Sequence, residues 1–126
     1  SFPTRRSSDL DNTTIVNTVL EFINENFMHS LSLEVISQNM YLSPAYISKL
    51  FKESTGTSPI NYLIKLRLSK AKHSLEIGDQ SIKKVALSVG YADMYHFSKL
   101  FKKYYGYPPS KIKHKSNDNQ LIKLNA

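Results

Sequence analysis

The chain is 126 residues long and 40% hydrophobic, enough for a modest core and too apolar for a disordered polymer. Its 17 Lys and Arg against 10 Asp and Glu give a formal charge of +7, which points to a polyanionic partner, nucleic acid before a membrane surface. The lack of cysteine excludes disulfide frameworks, thiolate zinc sites and Cys nucleophiles, and no apolar run approaches the ~20 residues of a membrane span.

Residues 1–10 read SFPTRRSSDL, with no apolar period and no capping residue leading into one. They match, codon for codon, the translation of a common sequencing adapter, so they are set apart from the fold and Arg5 and Arg6 from any role in binding. From Asp11 to Phe27, Ile15, Val19, Ile23 and Phe27 recur every fourth residue, flanked by Val16, Leu20 and Phe22, which predicts an amphipathic helix capped by Asp11 or Asn12. Ser32 caps a second, short helix with Leu33, Ile36 and Met40 inward. Ser43-Pro44 is a cap followed by Pro at the first helical position and opens a third helix, which ends at Gly56 and buries Ile47, Leu50 and Phe51.

Ser58-Pro59 repeats the start signal for a longer helix to about Ile77, with Leu63, Leu66, Ala71 and Leu75 as its apolar stripe and Gly78 as its stop. Ser81 caps a fifth helix with Ile82, Val85, Ala86 and Val89 inward, and Gly90 makes the turn. A sixth helix, from about Asp93 to Tyr105, buries Phe97, Leu100 and Phe101 and stops at Gly106. Pro108-Pro109-Ser110 allows a last short helix around Lys111. No stretch reads as a strand of useful length, so the predicted class is all-α with about seven helices.

The strongest signal is an internal repeat. Ser48-Lys49-Leu50-Phe51-Lys52 recurs as Ser98-Lys99-Leu100-Phe101-Lys102, and Gly56 and Pro59 recur as Gly106 and Pro109, all at an offset of 50. The preceding helices match at an offset of 49, pairing Ile36 with Val85, Met40 with Val89 and Leu42 with Tyr91. Each copy is a short helix, a tight turn and a helix, the shape of a helix-turn-helix, present twice. The organisation that follows is a first subdomain over 11–57, a linker helix over 58–77, a second subdomain over 78–113 and a tail over 114–126.

Charge follows the same division. Residues 11–42 hold four acids and no Lys or Arg, whereas 43–115 hold fourteen Lys and Arg against four acids. Opposite its buried face the third helix carries Ala45, Ser48, Lys49 and Lys52, and the sixth carries Met94, Tyr95, Ser98, Lys99, Lys102 and Lys103. Small or apolar groups lead and lysines follow, which suits a helix entering a major groove. Lys49 and Lys99 can reach guanine acceptors or phosphate, and Lys52, Lys102 and Lys103 suit phosphate. The helix starts capped by Ser32 and Ser81 add N–H donors for phosphate oxygens, and His96 is assigned a phosphate or backbone contact.

These residues resemble the C-terminal DNA-binding domain of AraC/XylS-type transcription regulators over residues 31–113. The most specific stretches are Ile82-Lys83-Lys84-Val85-Ala86, Val89-Gly90-Tyr91, Phe97-Ser98-Lys99-Leu100-Phe101-Lys102-Lys103 and Gly106-Tyr107-Pro108-Pro109; Tyr62-Leu63-Ile64-Lys65-Leu66-Arg67-Leu68 with Ala71 also fits. The resemblance implies two helix-turn-helix units whose third and sixth helices enter successive major grooves of double-stranded DNA. It places base reading on Ala45, Ser48, Lys49, Met94, Tyr95, Ser98 and Lys99. It gives Arg67 a structural role between the halves, and places effector sensing or a receiver function in a separate upstream domain, with RNA polymerase as a candidate partner.

Several positions depart from the family pattern. Ser37 stands where Ala is usual, with a hydroxyl that can bond the i−4 carbonyl. Tyr41 stands where many members have Gly, which predicts a first turn without a left-handed residue. Ile112 replaces the usual aromatic and Lys113 the usual Arg, and the reading helices use Lys, a point charge without the guanidinium fork.

A linker helix of about 20 residues spans ~30 Å, against a groove repeat of ~34 Å. That mismatch predicts DNA bent toward the protein or one unit docked less fully. His29, His73, His96 and His114 lack metal-ligand spacing, and no G-x-S-x-G, P-loop or G-x-G-x-x-G is present, so neither an enzyme nor a cofactor is expected. Without a signal peptide in the sequence, the location expected is the cytoplasm, at the nucleoid. The competing reading is an all-α protein–protein adaptor, which explains the acidic Glu21 and Glu25 but not the duplicated lysine-bearing helices.

Overall fold

Two short serine-capped helices, each followed by a helix of twelve residues, recur in a computed structural model that describes residues 11–112. The elements are α1 (Asn12–Asn26), α2 (Leu33–Met40), α3 (Pro44–Thr55), α4 (Pro59–Ile77), α5 (Ile82–Ser88) and α6 (Met94–Tyr105). The seventh predicted helix is one 3-10 turn, Pro109–Lys111. The adapter-like residues 1–10, Lys113, His114 and the rest of the tail lie outside the described residues.

The described residues divide into two compact units, the first ending at Ile64 and the second beginning at Lys65, within α4. In the first, α1 and α2 pack on α3, and Ile15, Val16, Val19, Ile23, Ile36, Ile47, Leu50, Phe51 and Leu63 are buried. Tyr62 meets Phe51 edge-on at 5.8 Å and accepts a hydrogen bond from Asn24 Nδ2, so the start of α4 is tied to both α1 and α3. In the second unit α5 packs on α6, and Leu68, Ala71, Leu75, Val85, Ala86, Val89, Tyr91, Phe97 and Phe101 are buried.

The caps lie where the sequence puts them. Asp11, Ser32, Ser43 and Ser81 each accept a backbone N–H at the start of the helix that follows. Each satisfies one of the donors that a helix N-terminus leaves free.

Four expectations are corrected. In α4, Leu66 is half-buried while Leu68 and Arg67 are buried, because Leu63 serves one core and Leu68, Ala71 and Leu75 serve the other. Leu100 is half-buried, since Phe97 and Phe101 fill the inward positions of α6. Tyr41 does adopt the left-handed conformation (φ 56°, ψ 33°), and its N–H donates to the Ser37 carbonyl as a glycine's would. Its counterpart Gly90 is also left-handed, at φ 102°. The Ser37 hydroxyl donates to Glu34 O, at i−3 rather than i−4.

Candidate nucleic-acid interface

α3 and α6 are built to the same plan. Each has twelve residues, an N-cap side chain that takes a backbone N–H (Ser43 from Tyr46, Asp93 from Tyr95), and a left-handed glycine cap, Gly56 at φ 80° and Gly106 at φ 83°. Each glycine N–H closes onto the carbonyl of a lysine, Lys52 or Lys102. The lysines in the last turns oppose the negative end of the helix dipole.

Because caps and buried residues are in register, so are the outward residues. Ala45 and Lys49 are exposed and Ser48 is half-buried on α3; Tyr95 and Lys99 are exposed and Ser98 is half-buried on α6. Lys52, Lys102 and Lys103 are exposed further along, and Met94 is half-buried at the first position of α6. Tyr95 stands out at 74% exposed, a large ring presented to solvent.

Ser32 is half-buried and Ser81 exposed, and both spend an oxygen lone pair on capping, accepting from Val35 and Lys84 at 3.2 Å. An accepting hydroxyl keeps its own proton to donate. His96 is exposed, with its ring edge-on to Tyr91 at 5.7 Å.

Support for this face comes from an aromatic line behind α6: Tyr91 on Phe97, Phe97 on Phe101, and Phe101 on Tyr105 and Tyr107. Tyr105 and Tyr107 therefore pack against Phe101 at the end of the unit. Burial pushes the Tyr105 phenol up, opposed by the Lys72 ammonium over its ring at 4.7 Å. Tyr91 is likewise raised by burial, opposed by Arg67, whose guanidinium lies 5.2 Å from the ring centroid.

Three further exposed groups lie in the first turns of these units and were not among the predicted site residues. Tyr46 lies in the first turn of α3, and Lys83 and Lys84 in the first turn of α5. The repeat itself was the available signal, since Tyr46 aligns with His96. Around α2 the equivalent first turn carries Glu34 instead. Among the described residues no three His, Asp or Glu side chains gather to hold a metal ion, and no helix is long and apolar enough to cross a membrane.

Two short-helix, turn, long-helix units with matching basic faces define a tandem helix-turn-helix protein. A family model described as a helix-turn-helix domain matches residues 36–115. The HTH-type transcriptional activator RhaS of Escherichia fergusonii is 36% identical over 98 residues, covering 78% of this chain and 35% of that protein. The C-terminal domain of AraT, a response regulator from Geobacillus stearothermophilus, is 33% identical, with a TM-score of 0.76 over 79% of this chain and 83% of that one. The C-terminal domain of the two-component response regulator yesN from Fusobacterium nucleatum is 30% identical, with a TM-score of 0.76 over 82% of this chain and 100% of that one. The chain belongs to the AraC-type helix-turn-helix family. It spans about a third of the length of the curated relatives it matches.

Proposed function

We propose that this chain binds double-stranded DNA in a sequence-specific manner and regulates transcription, each unit inserting its twelve-residue helix into a major groove. The observation that carries this reading is the duplicated outward face of α3 and α6, with small or apolar groups leading and lysines trailing on two twelve-residue helices that both end on a left-handed glycine. A helix of this kind fits the major groove, and lysines along its trailing half meet the sugar–phosphate backbone.

In this reading Ala45, Ser48 and Lys49 of the first unit, and Met94, Tyr95, Ser98 and Lys99 of the second, face base edges. Lys52, Lys102, Lys103 and His96 face phosphates, and the Ser32 and Ser81 hydroxyls donate to them. The two units are tandem copies within one chain and carry different outward residues, so one chain reads an asymmetric site. The RhaS relative is described as an activator, and AraT and yesN as response regulators. By analogy the chain is the DNA-binding part of a longer regulator, with an effector or receiver domain elsewhere and RNA polymerase as a further partner, acting in the cytoplasm at the nucleoid.

The test is binding-site selection from random duplex DNA with the wild type, Lys49→Ala and Lys99→Ala in parallel. The expected result is one enriched site in which each substitution erases information from a different part. Uniform, weak binding that disappears by 200 mM salt would show a merely electrostatic surface.

A further inference from the structure

The outward stripes of α3 and α6 occupy identical helical positions, counted from their caps Ser43 and Asp93. They read Ala45, Ser48, Lys49, Lys52 in one and Tyr95, Ser98, Lys99, Lys102 in the other, the i, i+3, i+4, i+7 spacing of a single helix face. Neither helix contains an Arg, Asn or Gln. Asn and Gln are the side chains that pair with adenine and Arg or Lys those that pair with guanine, so lysine is the one such group on either stripe. The leading residue of each stripe is instead apolar at its base, a methyl group in Ala45 and an aromatic ring in Tyr95. Apolar groups of this kind recognise the 5-methyl group of thymine. The Asp93 cap fixes the first turn through Tyr95 N–H at 2.9 Å, so the Tyr95 ring is carried on an ordered backbone at the end of the helix that penetrates deepest. Tyr95 is 74% exposed whereas Met94 before it is half-buried, so the Tyr95 ring leads the outward face of α6.

We infer that the second unit selects a thymine by apolar contact between Tyr95 and the thymine 5-methyl group, with Lys99 taking a guanine one turn further along. Ala45 and Lys49 make the same pairing in the first unit, with a shorter reach and a weaker thymine preference. This rests on the DNA-binding reading above and names the chemistry of the site that reading requires.

The experiment takes the duplex recovered by selection and replaces each thymine in turn with deoxyuridine, which lacks only the methyl group, and each guanine with 7-deazaguanine, which lacks N7. Affinities are measured by fluorescence anisotropy for the whole chain and for Tyr95→Ala, Tyr95→Phe and Lys99→Ala. One deoxyuridine position is expected to weaken wild-type binding about fourfold, the worth of one buried methyl group. That penalty should persist in Tyr95→Phe and vanish in Tyr95→Ala, while one 7-deazaguanine penalty vanishes in Lys99→Ala. The inference is overturned if no deoxyuridine position matters, if the penalty survives in Tyr95→Ala, or if Tyr95→Phe loses it, since the contact would then run through the hydroxyl. In those cases the selected duplex still binds and the DNA-binding reading stands. Failure to bind any duplex removes that reading and this one together.

Discussion

A Cβ atom placed on Gly90 would lie 3.1 Å from the guanidinium carbon of Arg67. Arg67 is only 9% exposed, although its charge would ordinarily hold it at the surface. It lies against the turn between α5 and α6, with its guanidinium also over the Tyr91 ring. The turn that sets α6 on α5 is thus closed around a buried cation, and Gly90 is the residue that makes room for it. At φ 102° Gly90 also occupies backbone space that side chains rarely enter.

Gly90→Ala should therefore destabilise the second unit by about 1–3 kcal/mol, combining backbone strain with displacement of Arg67. Thermal unfolding of the variant beside the wild type checks this. An unchanged transition would show that the turn can relax without cost.

Tyr41 supports the opposite prediction. It holds the same left-handed turn position in the first unit, yet its side chain is 95% exposed and packs on nothing. Tyr41→Gly should relieve strain of about 1–2 kcal/mol, partly offset by the greater freedom of glycine in the unfolded chain. The expected outcome is a net gain of about 0.5–1 kcal/mol, read as a rise of about 2–6 °C in Tm.

The Tyr91 hydroxyl is buried and makes no hydrogen bond of good geometry among the described residues. Tyr91→Phe should therefore cost nothing at neutral pH and gain up to about 1 kcal/mol. Burial raises the Tyr91 phenol above its ordinary 10.0, so the unfolded chain loses that proton first as pH rises. The stability linked to this group is present below pH 10 and is lost as pH climbs from 10 through the raised value. Melting curves from pH 7 to 11 should fall less steeply above pH 10 in Tyr91→Phe than in the wild type.

Lys102 and Lys103 predict a salt effect. If each faces one phosphate, Lys102→Ala with Lys103→Ala should reduce the slope of log affinity against log salt by about 1.8, at about 0.9 per contact. Preference among DNA sequences should be unaltered. Titrations between 50 and 200 mM salt provide the measurement. A changed sequence preference with an unchanged slope would move these lysines from phosphate to bases.

Helix boundaries were legible in the sequence because the punctuation is chemical. Ser32, Ser43, Ser81 and Asp93 cap what they precede, and Gly56 and Gly106 close what they follow. The outward faces of α3 and α6 were legible for the related reason that Ile47, Phe51, Phe97 and Phe101 leave little choice about which side is inward. Leu68 was missed because α4 serves two cores, and a helix divided between them need not keep one apolar period. The left-handed Tyr41 was missed because residue type alone argues against it; only the ring of hydrogen bonds closing α2 requires it there. The resemblance implied a structural role for Arg67, but not its place against Gly90, because that burial depends on a turn more than twenty positions away in the chain.

The shared plan of α3 and α6 separates two kinds of inheritance. In each helix the residues that hold the unit together face inward, and those proposed to read DNA face out. On the proposed reading, a change at Ala45 or Tyr95 redirects one half of the target without unsettling the packing beneath it. The two halves of the recognised site are thus free to drift at different speeds, one spelling fixed while the other is rewritten.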